Sequence, residues 1–211
     1  TSYLTKNVQG GGETAKALAS QTIVIDPGHG GKDPGAVGYG LQEKDVVLQV
    51  ALKMKPLLQK TGINIVYTRD TDKFVELSDR VAIAANAKGN AFVSIHANAF
   101  ANSSANGTET YYYSKSATNP YVSDSKLLAE KIQARLVAAL GTNDRGDKNG
   151  NYKVIRENTM PAVLVELAFI SNPSDNKKLG SAAYQQKSAN AIYYGVLDYY
   201  KEKGYNVSSY Y

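Results

Sequence analysis

The chain has 211 residues, 43% of them hydrophobic and 20% charged, enough for one sizeable core, and no run approaches the ~20 apolar residues that span a bilayer, so membrane insertion is not expected. It has no cysteine, which excludes disulfides and thiolate ligands and leaves nitrogen and oxygen to hold any metal. The net charge of +5 suits anionic partners such as cell-wall polymers, but the basic residues are scattered, as at Lys53, Lys55, Lys60, Lys126, Lys131 and Arg135, without the dense run that nucleic-acid binding favours.

Residues 1–21 read as a flexible linker around Gly10-Gly11-Gly12, and the polar stretch Thr1 to Gly12 does not read as a signal peptide. Thr22 to Ile25 is a short β-branched run entering Asp26-Pro27-Gly28, so a buried strand running into a loop is expected. The loop carries Gly30, Gly31, Gly35, Gly38 and Gly40. Helical spacing then places Val46, Val47, Val50, Leu52, Met54, Leu57 and Leu58 on one face, and Gly62 stops that helix. A strand over Ile63–Tyr67, a helix over Ser78–Lys88, and strands over Ala91–His96 and Thr108–Tyr113 follow. Tyr111, Tyr112 and Tyr113 read as residues alternating between two faces, with sugar stacking as the competing reading. Ser123 caps a long helix to about Leu140, ended by Gly141. A polar loop over Thr142–Tyr152 precedes a short strand at Val154-Ile155 and an apolar one at Ala162–Val165. Asn172-Pro173-Ser174-Asp175 opens a short helix, Ala182–Tyr200 is a final amphipathic helix, and 203–211 is a polar tail.

Strands alternating with helices argue for a single α/β domain over 22–202, a twisted and mostly parallel sheet flanked by helices on both faces. Ligands in such folds collect beyond the carboxyl ends of the strands. His29 follows the first strand, His96 closes the third, Glu166 follows Ala162–Val165, and Glu43 stands where the glycine-rich loop meets the first long helix. Singly, each has an ordinary explanation: a structural histidine, or a first-turn acid favoured by the helix dipole. Glu166 is harder to dismiss, because a carboxylate after four apolar residues costs several kcal/mol to bury unpaired. Two imidazoles and a carboxylate are a catalytic zinc set with one position left for water. A second carboxylate outside that set can move the water's proton to a leaving nitrogen. There is no H-E-x-x-H helix, so such a site must be assembled from distant segments.

At these residues the sequence resembles a known family. Thr22-Ile23-Val24-Ile25-Asp26-Pro27-Gly28-His29-Gly30-Gly31, Glu43-Lys44-Asp45, Ser94-Ile95-His96-Ala97-Asn98-Ala99 and Pro161-Ala162-Val163-Leu164-Val165-Glu166 with Ser171-Asn172 are similar to the N-acetylmuramoyl-L-alanine amidases of the amidase-3 type. The resemblance covers about Thr22 to Tyr200. It implies a six-stranded sheet, one zinc ion held by His29, Glu43 and His96, and Glu166 as the catalytic glutamate. The implied reaction is cleavage of the amide joining the lactyl group of N-acetylmuramic acid to L-alanine in peptidoglycan, by a secreted, monomeric enzyme of the bacterial cell wall. One departure is Ala168, where many members have glycine.

Further residues are weaker candidates. Arg145 is expected either to bind a stem-peptide carboxylate or to be a solvated loop charge. Asn98 is expected to orient His96 or touch substrate. Asp26 is expected to support His29, and Arg69 and Arg80 read as structural. A zinc peptidase, a zinc deacetylase and an inactive wall-binding module are the alternative functions.

Overall fold

The computed structural model describes residues 15–115 and 117–211; most of the expected linker, 1–14, lies outside the described residues. The strands are β1 (Thr22–Pro27), β2 (Val37–Gly38), β3 (Leu41–Gln42), β4 (Asn64–Tyr67), β5 (Ala91–Asn98), β6 (Thr108–Tyr112), β7 (Asp144–Asn149) and β8 (Ala162–Phe169). The helices are α1 (Glu43–Gln59), α2 (Leu77–Asn86), α3 (Val122–Leu140), α4 (Lys153–Arg156), α5 (Pro173–Leu179) and α6 (Ala182–Glu202). Six strands form one sheet in the order β4-β1-β5-β8-β6-β7. Every neighbouring pair is parallel except β6–β8. The single-domain, mostly parallel α/β architecture expected from the sequence is therefore the one observed.

Alternation along the strands sorts the core into two layers. Ile23, Ile25, Val93, Ile95, Val163 and Val165 face α1, α3 and α6. Val24, Phe92, Ala162 and Leu164 face the smaller layer built by Ala84 of α2 and by Val154 and Ile155 of α4. The tyrosines alternate as expected, Tyr112 packing with the first layer and Tyr111 and Tyr113 with the second. At the end of α3, Gly141 takes a left-handed conformation and its N–H bonds the Val137 carbonyl at 3.0 Å; α5 is capped by Asn172, whose side chain accepts from Asp175 N–H.

Several expectations need correction. Val154 and Ile155 lie in the single turn of α4, not in a strand; two adjacent apolar residues carry no period, and here both are buried from a helical turn. The expected polar loop contains β7, Asp-Arg-Gly-Asp-Lys-Asn. As an edge strand paired only with β6, it is held by backbone bonds rather than by an apolar face. The long helix α3 starts at Val122 with Tyr121 at its cap, so Ser123 sits inside the first turn. Residues 15–21 and 203–211 are docked: Leu18 and Val207 are buried, Lys16 bridges to Tyr205, and Tyr193 Oη donates to the Tyr210 carbonyl at 2.8 Å.

Candidate metal centre and catalytic base

The site is a consequence of strand register. His96 of β5 stands beside Glu166 of β8, and Glu166 stands opposite Glu109 of β6. Residues in one register row project to the same face, so His96, Glu166 and Glu109 form a row there. Gly28, following the pair Pro27–Ile95, extends it. A Cβ on Gly28 would lie 2.3 Å from the His96 ring, so glycine is what lets the imidazole lie across β1. Gly28→Ala should displace His96 and weaken metal binding at least ~10-fold, the scale of a lost orienting contact; unchanged affinity in a metal titration would refute this role. His96 and Glu166 are not strand ends, since β5 runs on to Asn98 and β8 to Phe169.

Beyond β1 the chain turns sharply, with His29 at φ +60°, an uncommon conformation for a side chain of this size. Two buried arginines hold the turn. Arg69 donates to the carbonyls of Pro27, Gly28 and Lys44 at 3.0, 2.7 and 2.9 Å. Arg80 donates to those of Pro27 and His29 at 2.6 and 2.7 Å and to Asp26 Oδ1 at 2.9 Å. Both are structural, as expected. Arg80→Ala leaves Asp26 buried without its cation and should cost about 3–5 kcal/mol in denaturant unfolding; an unchanged midpoint would contradict the staple.

His29 Nε2 and His96 Nδ1 lie 3.0 and 3.1 Å from the same oxygen, Glu43 Oε1, and the three potential ligand atoms fall within 4.8 Å of one another. The rings meet edge to face at 5.1 Å. Glu43 is fixed by the N–H groups of Ala36, at 2.8 Å to Oε2, and of Ala97, at 3.1 Å to Oε1. Two nitrogens and one oxygen converging in this way fit a borderline cation such as zinc.

Each imidazole is oriented by its other nitrogen. His29 Nδ1 meets Asp33 Oδ2 at 2.8 Å. His96 Nε2 meets Ser94 Oγ at 3.0 Å, and Ser94 Oγ donates to Asp26 Oδ2 at 2.7 Å. Because that hydroxyl spends its proton on Asp26, it accepts from His96 Nε2–H, the tautomer that would turn the Nδ1 lone pair to a metal in place of the hydrogen bond to Glu43. Asp26 therefore supports His96 through Ser94, not His29 as expected; Asp33 takes the role beside His29. Asp33 and Ser94 were missed from sequence, although Ser94 stands within the motif around His96.

Burial works against charge on both Glu43 and His29. Hydrogen bonds from His29 and His96 nevertheless hold the Glu43 carboxyl well below the usual range, and Glu43 and Asp33 together raise His29. Glu166 shows the opposite balance. It is buried, its Oε2 has no hydrogen-bond partner among the described residues, and burial with the charges of Glu43 and Glu109 pushes its carboxyl well above the usual range.

Glu109 is the second acid of the row and was also missed. It accepts from Asn98 Nδ2 at 2.8 Å, Tyr111 Oη at 2.5 Å, Arg145 Nε at 3.0 Å and Lys148 Nζ at 2.7 Å. A lone acid inside Thr-Glu-Thr-Tyr-Tyr was its only sequence signal. Asn98 and Arg145 are thus brought together on Glu109, with Arg145 also lying over the Phe169 ring at 4.9 Å. Asn98 makes no hydrogen bond to His96 among the described contacts. Beside the histidines runs a cleft of about 340 Å³, lined also by Asp33, Phe74, Leu77 and Val154.

Proteins similar in sequence and in fold point to one family. The N-acetylmuramoyl-L-alanine amidase family model matches residues 23–198. The chain is 51% identical over 203 residues to an uncharacterized cell wall amidase of Bacillus anthracis, covering 92% of this chain and 38% of that protein. It is 48% identical over 184 residues to the N-acetylmuramoyl-L-alanine amidase LytC of Bacillus subtilis, covering 87% and 36%. The chain therefore spans little more than a third of the length of these two relatives. The catalytic domain of CwlV, an N-acetylmuramoyl-L-alanine amidase from Bacillus (Paenibacillus) polymyxa, superposes with a TM-score of 0.78 at 42% identity over 85% of this chain and 97% of that one. A match running through nearly every strand and helix of the sheet, at this level of identity, places the chain in the N-acetylmuramoyl-L-alanine amidase family.

Proposed function

We propose that this chain is a zinc-dependent hydrolase that cuts the amide between the lactyl group of N-acetylmuramic acid and L-alanine of the stem peptide, acting as a secreted, monomeric enzyme at the cell wall. The observation that carries the reading is one register row, in which a buried Glu166 with an unpartnered oxygen stands next to a His29–Glu43–His96 cluster. Residues 22–202 form the catalytic unit.

His29 Nε2, Glu43 Oε1 and His96 Nδ1 would hold the zinc. When bound there, it supplies Lewis acidity, lowering the pKa of a water and polarising the scissile carbonyl. Asp33 and Ser94 keep the two imidazoles in the tautomers that direct lone pairs inward. Glu166 takes the proton from the attacking water and returns it to the departing alanine nitrogen. Its raised pKa suits both transfers, since a carboxyl nearer neutrality is a stronger base and remains a usable acid. Asn98, Tyr111, Arg145 and Lys148 gather the charge of Glu109 and so limit its repulsion of Glu166. Arg145 spends only Nε on Glu109, which leaves its terminal nitrogens for a stem-peptide carboxylate.

A peptidase or deacetylase would use the same metal chemistry, and products separate them. Digestion of purified peptidoglycan with zinc-loaded protein should release alanine amino termini without new reducing ends or acetate. Acetate, or cleavage within the peptide, would replace the amidase reading. An inactive wall-binding module would leave no reason to bury an unpartnered Glu166.

A further inference from the structure

The described residues expose six large hydrophobic side chains, Val37, Tyr39, Leu77, Phe100, Tyr152 and Tyr211, and the first five of them lie on segments that carry or adjoin the site. Leu77 lines the cleft with His29 and His96. Tyr152 packs against Tyr111, which bonds Glu109. Val37 and Tyr39 belong to the β2–β3 hairpin between His29 and Glu43, and Phe100 follows β5 four residues after His96. Exposed apolar side chains on the segments that carry a site are candidates for a contact surface.

Tyr39 carries a second sign. Strands β2 and β3 pair Val37 with Gln42 and Gly38 with Leu41, leaving a two-residue turn of Tyr39 and Gly40 with φ of +46° and +81°. Two positive values define a turn that favours Asn-Gly, and a bulky tyrosine at its first position is strained. That strained residue is nevertheless 62% exposed, so packing among the described residues does not explain it. The hairpin itself is firmly seated. Asn176 Nδ2 donates to the carbonyls of both Gly38 and Ile170 at 2.9 Å. Phe100, also 62% exposed, is fastened to the same segment by its N–H to Ser171 Oγ at 2.9 Å. The hairpin that carries Tyr39 and the backbone of Phe100 are therefore both anchored at Ile170–Ser171, just beyond the end of β8.

We infer that Tyr39 and Phe100 form a sugar-binding subsite that receives the rings of the glycan strand next to the muramoyl unit being cut. The inference rests on the amidase reading: a lactyl arm is short, so the sugar bearing it lies at the metal and its polymer neighbours lie over the rim. The chemistry of the surface fits a carbohydrate. Phe100 is an isolated ring followed by Asn102, Ser103 and Ser104, a mixture of aromatic faces and hydroxyl or amide groups rather than the continuous apolar centre of a protein interface.

The test compares a muramoyl-L-alanyl peptide on a single sugar with the same peptide on a tetrasaccharide. Wild type should prefer the tetrasaccharide by about tenfold in kcat/KM, the effect of withdrawing roughly 60 Å² of apolar surface from water. That preference should collapse towards parity in Tyr39→Ala/Phe100→Ala, through KM rather than kcat, and persist in Tyr39→Phe/Phe100→Tyr. Tyr39→Asn should raise Tm by relieving the turn while lowering the preference. Equal losses on both substrates, or an undiminished preference, would overturn the subsite. So would a wild-type dimer that dissociates in the double variant, since the rim would then face a second copy. If neither substrate is cut, the amidase reading itself fails. Calorimetry with a peptide-free tetrasaccharide then decides the rim alone: binding lost in the double variant supports it, and no binding by wild type overturns it.

Discussion

Glu166→Gln should abolish hydrolysis, by about 10²–10⁴-fold, the range a positioned acid-base group supplies, while metal binding stays within a few fold. The substitution keeps shape and volume and removes only the ability to carry a proton. The acid limb of the wild-type pH profile should lie above the ordinary glutamate range, because burial, the largest cause, and the charge of Glu109 raise Glu166 even where a bound zinc would offset the charge of Glu43. Stability adds a further readout. A carboxyl whose pKa is raised on folding binds more protons in the native than in the unfolded state, so it lowers stability as pH rises past its unfolded value. With chelator present, Glu166→Gln should match wild type at low pH and exceed it in Tm near neutrality. A variant that is active, or that loses its metal, would remove the assignment of Glu166 as base.

Loss of a ligand should have an equally large effect by another route. Wild type should bind one zinc, and a thousandfold excess over Kd should stabilise it by about 4 kcal/mol. Glu43→Gln should lose the stabilisation and the activity together, because Glu43 Oε1 is the atom on which both imidazoles converge. Affinity should fall with acidity. His29 is held protonated to a higher pH than usual by Glu43 and Asp33 despite its burial, and binding must displace that proton. Below the raised pKa of His29, each pH unit should weaken binding about tenfold for that one proton. The sign is opposite for the metal-free fold: His29 stabilises it at low pH, and this contribution is lost as pH rises through the raised value. Zinc titrations monitored by Tm at several pH values check both, and a pH-independent affinity would rule out His29 as a ligand.

The parts of this site legible in sequence were those that punctuate it. Two histidines and two acids stood next to apolar runs or at a glycine-rich loop, and a parallel α/β fold sends such positions to one rim. What escaped was set by contacts distant in sequence. Ser94 reaches Asp26 from 68 residues away, so nothing local said that Asp26 would serve His96 instead of His29. Glu109 joins the row only because β6 pairs antiparallel with β8 in a particular register. Likewise β7 has no apolar alternation, since an edge strand needs only its neighbour's backbone, and Val154-Ile155 was too short to show a period. Glu166 was read as a strand end because its polarity interrupts an apolar run. It lies inside β8 because Leu167, Ala168 and Phe169 continue the run beyond it.

The most direct test of the account is hydrolysis of peptidoglycan by the zinc-loaded protein in ¹⁸O-water, with the products read by mass spectrometry. Attack at the lactyl carbonyl predicts one ¹⁸O in the lactyl carboxylate of muramic acid and an unlabelled L-alanine with a free amino group. Label at a sugar reducing end, in acetate or in a peptide carboxylate would contradict it.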